Sequence, residues 1–298
     1  MATNPITTSL PAYVEQNAEQ LLAKSVLGAA TLSHIGVQTG IKTTASINLL
    51  NTDVEFGDGS SCGFDSKGSQ EITQRMIETG LIKVNMSFCE KNLLGKYTEK
   101  LVKIGATQEE LPFEEFLVNE VLKSIAMNLD KAVWQGDKAS DDENLNKFDG
   151  LLKIMGADSK VVKVEQAEGV SAYEKIKAVY MAIPEQVIDN AVIFVGADTY
   201  RAYIADLVSA NLYHYNPENG VDGYMIPGTN VRVIKVNGLN GTGKIVAGRP
   251  DHFIYGTDLE SNAETFDFFY SKDNREFRLV VEWNSGVNYA FSDEVVLG

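Results

Sequence analysis

The sequence predicts an α+β fold organised around one long helix, and three observations carry that prediction. Residues 112–136, PFEEFLVNEVLKSIAMNLDKAVWQG, place Phe113, Phe116, Leu117, Val121, Ile125, Leu129 and Val133 mostly at steps of three or four, which lines one face of a helix. Strand-like segments stand on both sides of it, at 44–56 and 80–90 before and across most of 252–297 after. Between helix and tail, residues 160–250 alternate apolar runs with helical stretches, the pattern of an α/β block.

The long helix is well marked. Pro112 suits a first helical position, where no amide donor is needed. Glu114 and Glu115 put negative charge beside the exposed amides of the first turn, and Gly136 is placed to end the helix. At 1.5 Å per residue it spans roughly 36 Å, long enough to serve as a spine for other elements.

Ahead of the spine, residues 1–43 read as an N-terminal arm. Residues 1–9 are polar and without period. Pro11 then opens a helical stretch to about Ala30, with Val14, Ala18, Leu21, Leu22 and Ala29 near one side. Residues 44–90 read as an extended hairpin loop. Ile82, Val84, Met86 and Phe88 alternate with polar residues in its second strand, and a stretch rich in Gly, Ser and Asp (56–72) forms a large tip. Such a hairpin is marginal alone and needs a surface to pack against. Phe56, Phe64 and Ile72 are its candidate apolar contacts with a neighbouring molecule, and Lys67 and Arg75 its candidate contacts with an acidic surface.

After the spine, Asp141, Asp142 and Glu143 make a solvated loop whose spacing does not match a calcium loop. Ser171 to Glu174, SAYE, is a capping box opening a helix to about Ile183. AVIFVG (191–196) is a buried strand, 198–211 a second helix, and 230–238 and 244–248 are strands. The tail carries two strands with a turn at 272–275, then a last extended piece, VNYAFSDEVVL. The division is therefore arm 1–43, hairpin 44–90, a peripheral unit of 91–159 and 251–298 with the spine at 112–136, and an axial α/β unit at 160–250.

Composition excludes some classes of function. There are 41 acidic and 26 basic residues, a formal charge of −15, and no Lys/Arg cluster, so phosphate backbones are repelled. Cys62 and Cys89 belong to no CxxC pattern and read as free thiols. The start lacks a basic and an apolar targeting region, and no apolar run approaches the roughly 20 residues of a membrane helix. These features describe a soluble protein.

One motif invites a chemical reading. Gly238-Leu-Asn-Gly-Thr-Gly243-Lys244 fits GxxxxGK after a strand, as in a phosphate-binding loop. Ile245, however, stands where Ser or Thr must hold magnesium, and the following residues are strand-like, with no helix N-terminus to face phosphates. A Gly/Asn turn between two adjacent strands explains the loop better. His34, His214 and His252 have no metal-ligand spacing, and no carboxylate pair stands out for acid/base work. No catalytic, cofactor-binding or metal-ligating residue emerges.

The order of elements resembles the major capsid proteins of tailed phages, of the Hong Kong 97-type fold: arm, extended hairpin, peripheral domain on a spine helix, axial domain, returning strands. The local echoes are AVWQGD (132–137) with FDGLL (148–152), Asn211-Leu212-Tyr213 after a helix, and NREFR (274–278) followed by Gly286-Val287. SLPAYVEQN, LLNTDVEFGDGSSCGF and IKVNMSFCE are similar to capsid proteins of phages of gut bacteria. The resemblance implies a head protein that self-assembles through pentamers and hexamers into an icosahedral shell around double-stranded DNA. It implies assembly in the host cytoplasm, with a separate scaffolding protein, a portal and decoration proteins as partners, weak contact with DNA, and neither cofactor nor membrane. With only residues to about Thr43 before the hairpin, a fused scaffold is not expected. An encapsulin-type compartment shares this fold, and a nucleotide-using α/β enzyme is the reading from another class. The two classes separate at Lys244: Lys244→Ala should leave stability within about 0.5 kcal/mol, as for most surface substitutions, whereas ATP binding lost in this variant would favour the enzyme.

Overall fold

The predicted spine is α1, Phe113–Gln135. It belongs to a computed structural model that describes residues 29–56, 68–89, 113–167, 169–212, 223–258, 266–274 and 276–298. The side chains at 51, 53, 71, 113–117 and 266 also lie outside the description, and with them Phe113, Phe116 and Leu117 of the predicted face. Along the rest of α1, Val121, Ile125, Leu129 and Val133 are buried as the spacing requires. Val118, Leu122, Ala126 and Trp134 are buried too, so the helix is enclosed on more than one side.

Gly136 ends the helix for a reason of packing. Gly150 N donates to Gly136 O at 2.8 Å, and a Cβ on Gly150 would stand 2.5 Å from Gly136 N. Two backbones cross here with no room for a side chain. Lys153 closes the same turn, bridging Asp137 and Asp149 at 2.6 and 2.7 Å from α2, Leu151–Ala157.

One sheet covers the spine. Its order is β1 (Gly36–Gln38), β10 (Phe253–Thr257), β12 (Glu276–Tyr289) and β11 (Phe266–Ser271), with β4 (Gly80–Cys89) also paired to β12. Phe277, Leu279, Val281 and Trp283 alternate inward along β12 and join the spine in the main core. The turn between β11 and β12 falls where the sequence places it. Ala29, Leu32 and Ile35, read as arm, belong to this core as well.

The second sheet has six strands in the order β5 (Val162–Lys163), β13 (Val296–Leu297), β9 (Ile245–Gly248), β6 (Val192–Val195), β8 (Arg232–Lys235) and β7 (Tyr224–Met225). Helices α3 (Ala172–Met181) and α4 (Ala197–Ser209) contribute to a separate core with Ile193, Val195, Val233 and Ala247, while Phe194, Ile234 and Val246 turn to the spine side. Both faces are covered, which is why AVIFVG is apolar without alternation. The capping box forms: Ser171 Oγ accepts from Glu174 N at 3.2 Å.

Three readings are corrected. The strand at 44–56 does not pair with the one at 80–90. β2 (Thr44–Asp53) pairs with β3 (Ser69–Glu78) as a separate two-stranded ribbon, and β4 joins β12 from Glu276↔Cys89 to Ser285↔Gly80. β3 escapes notice because its polar residues at Gln70, Thr73, Gln74 and Arg75 interrupt the apolar ones, in a ribbon with one face open to solvent. The last strand, β13, lies in the second sheet, against β5 and β9, and not with the tail strands. Finally, the 238–244 loop is not a turn between adjacent strands, because β6 lies between β8 and β9.

That loop wedges against the spine. A short 3-10 turn, Asn237–Leu239, meets α1. Gly238 N donates to Asp130 Oδ2 at 2.7 Å, and Gln135 Nε2 donates to Gly238 O at 2.6 Å. A Cβ on Gly238 would stand 2.1 Å from Asp130 O. Asp130, 1% exposed, also accepts Thr31 N at 2.8 Å, and Trp134 Nε1 donates to Thr31 Oγ1 at 2.7 Å. The Trp134 ring lies 5.4 Å from Phe194 of the second sheet and 6.4 Å from Phe253 of the first. Asp130→Ala would strand two buried amides at about 1–3 kcal/mol each. Thermal unfolding should therefore show a Tm lower by roughly 3–10 °C, and an unchanged Tm would contradict this role.

Candidate assembly surface

Among the described residues no group of three or more His, Cys, Asp and Glu could hold a metal ion, and no helix is long and apolar enough to cross a membrane. The amides of the 238–244 loop have internal acceptors: besides Gly238, Gly241 N donates to Asp198 Oδ2 and Lys244 N to Thr242 Oγ1. A carboxylate, Asp130, sits where a phosphate would have to come.

The β2–β3 ribbon has two different faces. Successive side chains alternate along each strand, and directly opposed residues share a face. Ile47, Leu49 and Ile77 point inward and pack with Ile41 and Ala290, with Ile254 and Phe291 alongside. On the other face Leu50 opposes Ile72 and Ser46 opposes Met76, with the Gln74–Asn48 side-chain hydrogen bond of 2.9 Å between them. Leu50, Ile72 and Met76 are 56%, 71% and 53% exposed, and beyond the strand Val54 and Phe56 are 67% and 97% exposed. Three large apolar side chains in the open on one narrow element, with two more just beyond its end, exceed the scattered exposure ordinary for a surface.

Of the residues singled out from sequence, Phe56 and Ile72 are thus open on the ribbon. Phe64 and Lys67 lie outside the described residues. Arg75 is engaged within its own chain: it ion-pairs with Asp158 at 3.0 Å and lies 4.1 Å over the Tyr289 ring. The sequence reading missed Leu50, Val54 and Met76. Leu49 and Leu50 are adjacent, so alternation turns one of them outward, but without β3 the face of each could not be assigned.

Arg75 closes a polar site at the ribbon's root. Asp158, the C-terminal cap of α2, accepts Lys160 N at 2.9 Å on Oδ1. On Oδ2 it accepts Arg75 Nη2, Tyr289 Oη at 2.9 Å and Ser292 Oγ at 2.8 Å. Partial burial pushes the Asp158 carboxyl up, but the Lys160 amide, the two hydroxyls and the guanidinium outweigh it and hold it well below the ordinary carboxylate range. A carboxyl so lowered contributes stability above its unfolded pKa that is lost only as pH falls through the folded value. Burial pushes the Tyr289 phenol up to about 12, so it stays protonated and donates.

A groove of mixed apolar and polar lining lies beside the spine. It runs between α1 and β4, has a volume of about 290 Å³ and is lined by Ile82, Val84, Val121, Ile125, Leu129 and Trp283, among others. Among the described residues β4 is paired along β12 alone.

Comparison with known proteins agrees with this architecture. No curated protein sequence matches the chain. Of solved structures, the satellite phage P4 procapsid including size determination (Sid) protein aligns with all of this chain and 91% of its own, at TM-score 0.62 and 12% identity. The Gordonia phage Cozz structure aligns over 90% of this chain and 85% of its own, at TM-score 0.56 and 13% identity. The virus-like particle from Pyrococcus furiosus aligns over 95% and 97%, at TM-score 0.52 and 9% identity. The shared fold is that of Hong Kong 97-like capsid proteins. The model of the phage capsid family matches residues 96–288, and the chain belongs to that family.

Proposed function

We propose that this protein is a major head protein whose copies join through the outer face of the β2–β3 ribbon to close an icosahedral shell around double-stranded DNA. Membership of the capsid family supports a structural, shell-forming role in the virion. The observation that carries the contact is the ribbon's exposed apolar face, Leu50, Ile72 and Met76 with Val54 and Phe56 beyond. In a self-assembling protein the matching occupant is another copy of the chain. The groove between α1 and β4 offers a receiving surface of mixed apolar and polar character on each copy. Pentamers and hexamers would form in the host cytoplasm, with a separate scaffolding protein, a portal and decoration proteins as companions. The charge of −15 suits a container that holds DNA loosely. An encapsulin-type compartment would use the same fold, and the phage capsid family match favours the head protein.

The test is Leu50→Ser with Ile72→Ser. Both side chains are solvent-exposed, so the subunit should keep its circular dichroism and lose no more than about 0.5 kcal/mol per site. Closed shells should be absent by sedimentation and negative-stain imaging. Shells of normal size and yield would overturn the ribbon contact.

A further inference from the structure

The ribbon is rooted on the first sheet and on the joint that links it to the second. The chain passes between the first sheet with its spine and the second sheet at residues 158–161, 249–252 and 290–295. These passages are tied to one another. Ala290 N donates to His252 O at 2.8 Å, and His252 Nδ1 lies 2.6 Å from Glu294 Oε2. Ser292 and, one residue before the passage, Tyr289 both bond Asp158 at the start of another.

The polar holds on the ribbon's inner face reach these residues or the end of β12 beside them, and its apolar side chains pack both on Ala290 and Phe291 of the joint and on Ile41 and, in β10, Ile254. Arg75 bonds Asp158 and Ser292 and covers Tyr289. Ile47, Leu49 and Ile77 pack against Ala290 and Phe291. Asn288 Nδ2 donates to Met76 O at 2.7 Å. One carboxylate oxygen, Asp158 Oδ2, therefore collects donors from the ribbon, from the end of β12 and from the passage after it. Charge-assisted bonds of this kind are short and directional, so donors that share one acceptor move together.

The geometry points to a latch: Asp158 sets the angle of the ribbon to the body and makes that angle follow the relative position of the two sheets. A shift of the joint would carry Ser292 and Tyr289 with it, and the ribbon with them. The value of such coupling in a shell rests on the proposed ribbon contact, because the angle would then fix where a neighbour sits. The coupling itself is a property of the single subunit and is tested there.

The test places spin labels at Thr52→Cys on the ribbon and Met127→Cys on the spine, with Cys62→Ser and Cys89→Ser, and measures their separation by pulsed electron paramagnetic resonance. The parent should give one narrow distance. Asp158→Asn should lose that single peak for a broad or shifted distribution, and so should Glu294→Gln, which alters the joint without touching the ribbon. Arg75→Gln, which removes only the ribbon's side of the contact, carries the first arm if Asp158→Asn does not fold. An unchanged distance in Asp158→Asn, or in Arg75→Gln in its place, would overturn the latch. An unchanged distance in Glu294→Gln would overturn the coupling to the joint. Because no shell is involved, these results are independent of whether the ribbon meets a neighbour.

Discussion

The structure depends on how the C-terminal end of the spine helix is held. Asp130 is a buried carboxylate whose contacts are backbone amides, Thr31 N on one side and Gly238 N on the other. One turn later Trp134 stands against Phe194 of one sheet and Phe253 of the other. A buried carboxylate is costly unless hydrogen-bonded, so this one constrains its neighbours strictly. The loop after β8 must come close enough to bond it, which requires a residue without a side chain at 238. The loop that looks like a phosphate cradle is thus a clamp on the spine. Both sheets meet at that clamp, which is what gives the body a rigid frame for a projecting ribbon.

From that frame follows the division of labour in the molecule. The body buries its apolar residues in two cores, one between the spine and the two sheets and one beneath α3 and α4. The ribbon has only a small cluster at its root and leaves its other face open. An element of two strands is barely stable by itself, so it depends on its root contacts, and its outer face is the surface proposed to meet a neighbouring copy. In the proposed head protein such a face, repeated by symmetry, would join the copies.

Much of this was legible in the residues, and the rest was hidden for physical reasons. The spine from Val118 onward, the Ser171 cap, the buried strand at 192–195 and the turn after Ser271 all follow from local periodicity or capping, which a short window of sequence contains. The pairing of β4 with β12 spans nearly two hundred residues and leaves no local trace. β3 was lost beside the Gly/Ser-rich stretch because only one face of it is buried, and only at its root: Ile77 is fully covered, while Thr73 on the same face and Ile72 and Met76 on the other are exposed. Arg75 read as a surface cation because nothing in the sequence brings Asp158 to it. Trp134 was legible only as part of the AVWQGD passage, and its place between two sheets is a consequence of the fold.

The central claim is that the outer face of the ribbon is an interface between copies. Electron cryo-microscopy of shells formed by the unmodified protein tests it most directly. The account predicts closed particles in which Leu50, Ile72 and Met76 are buried against an adjacent subunit. Closed particles in which those three side chains remain open to solvent would contradict it.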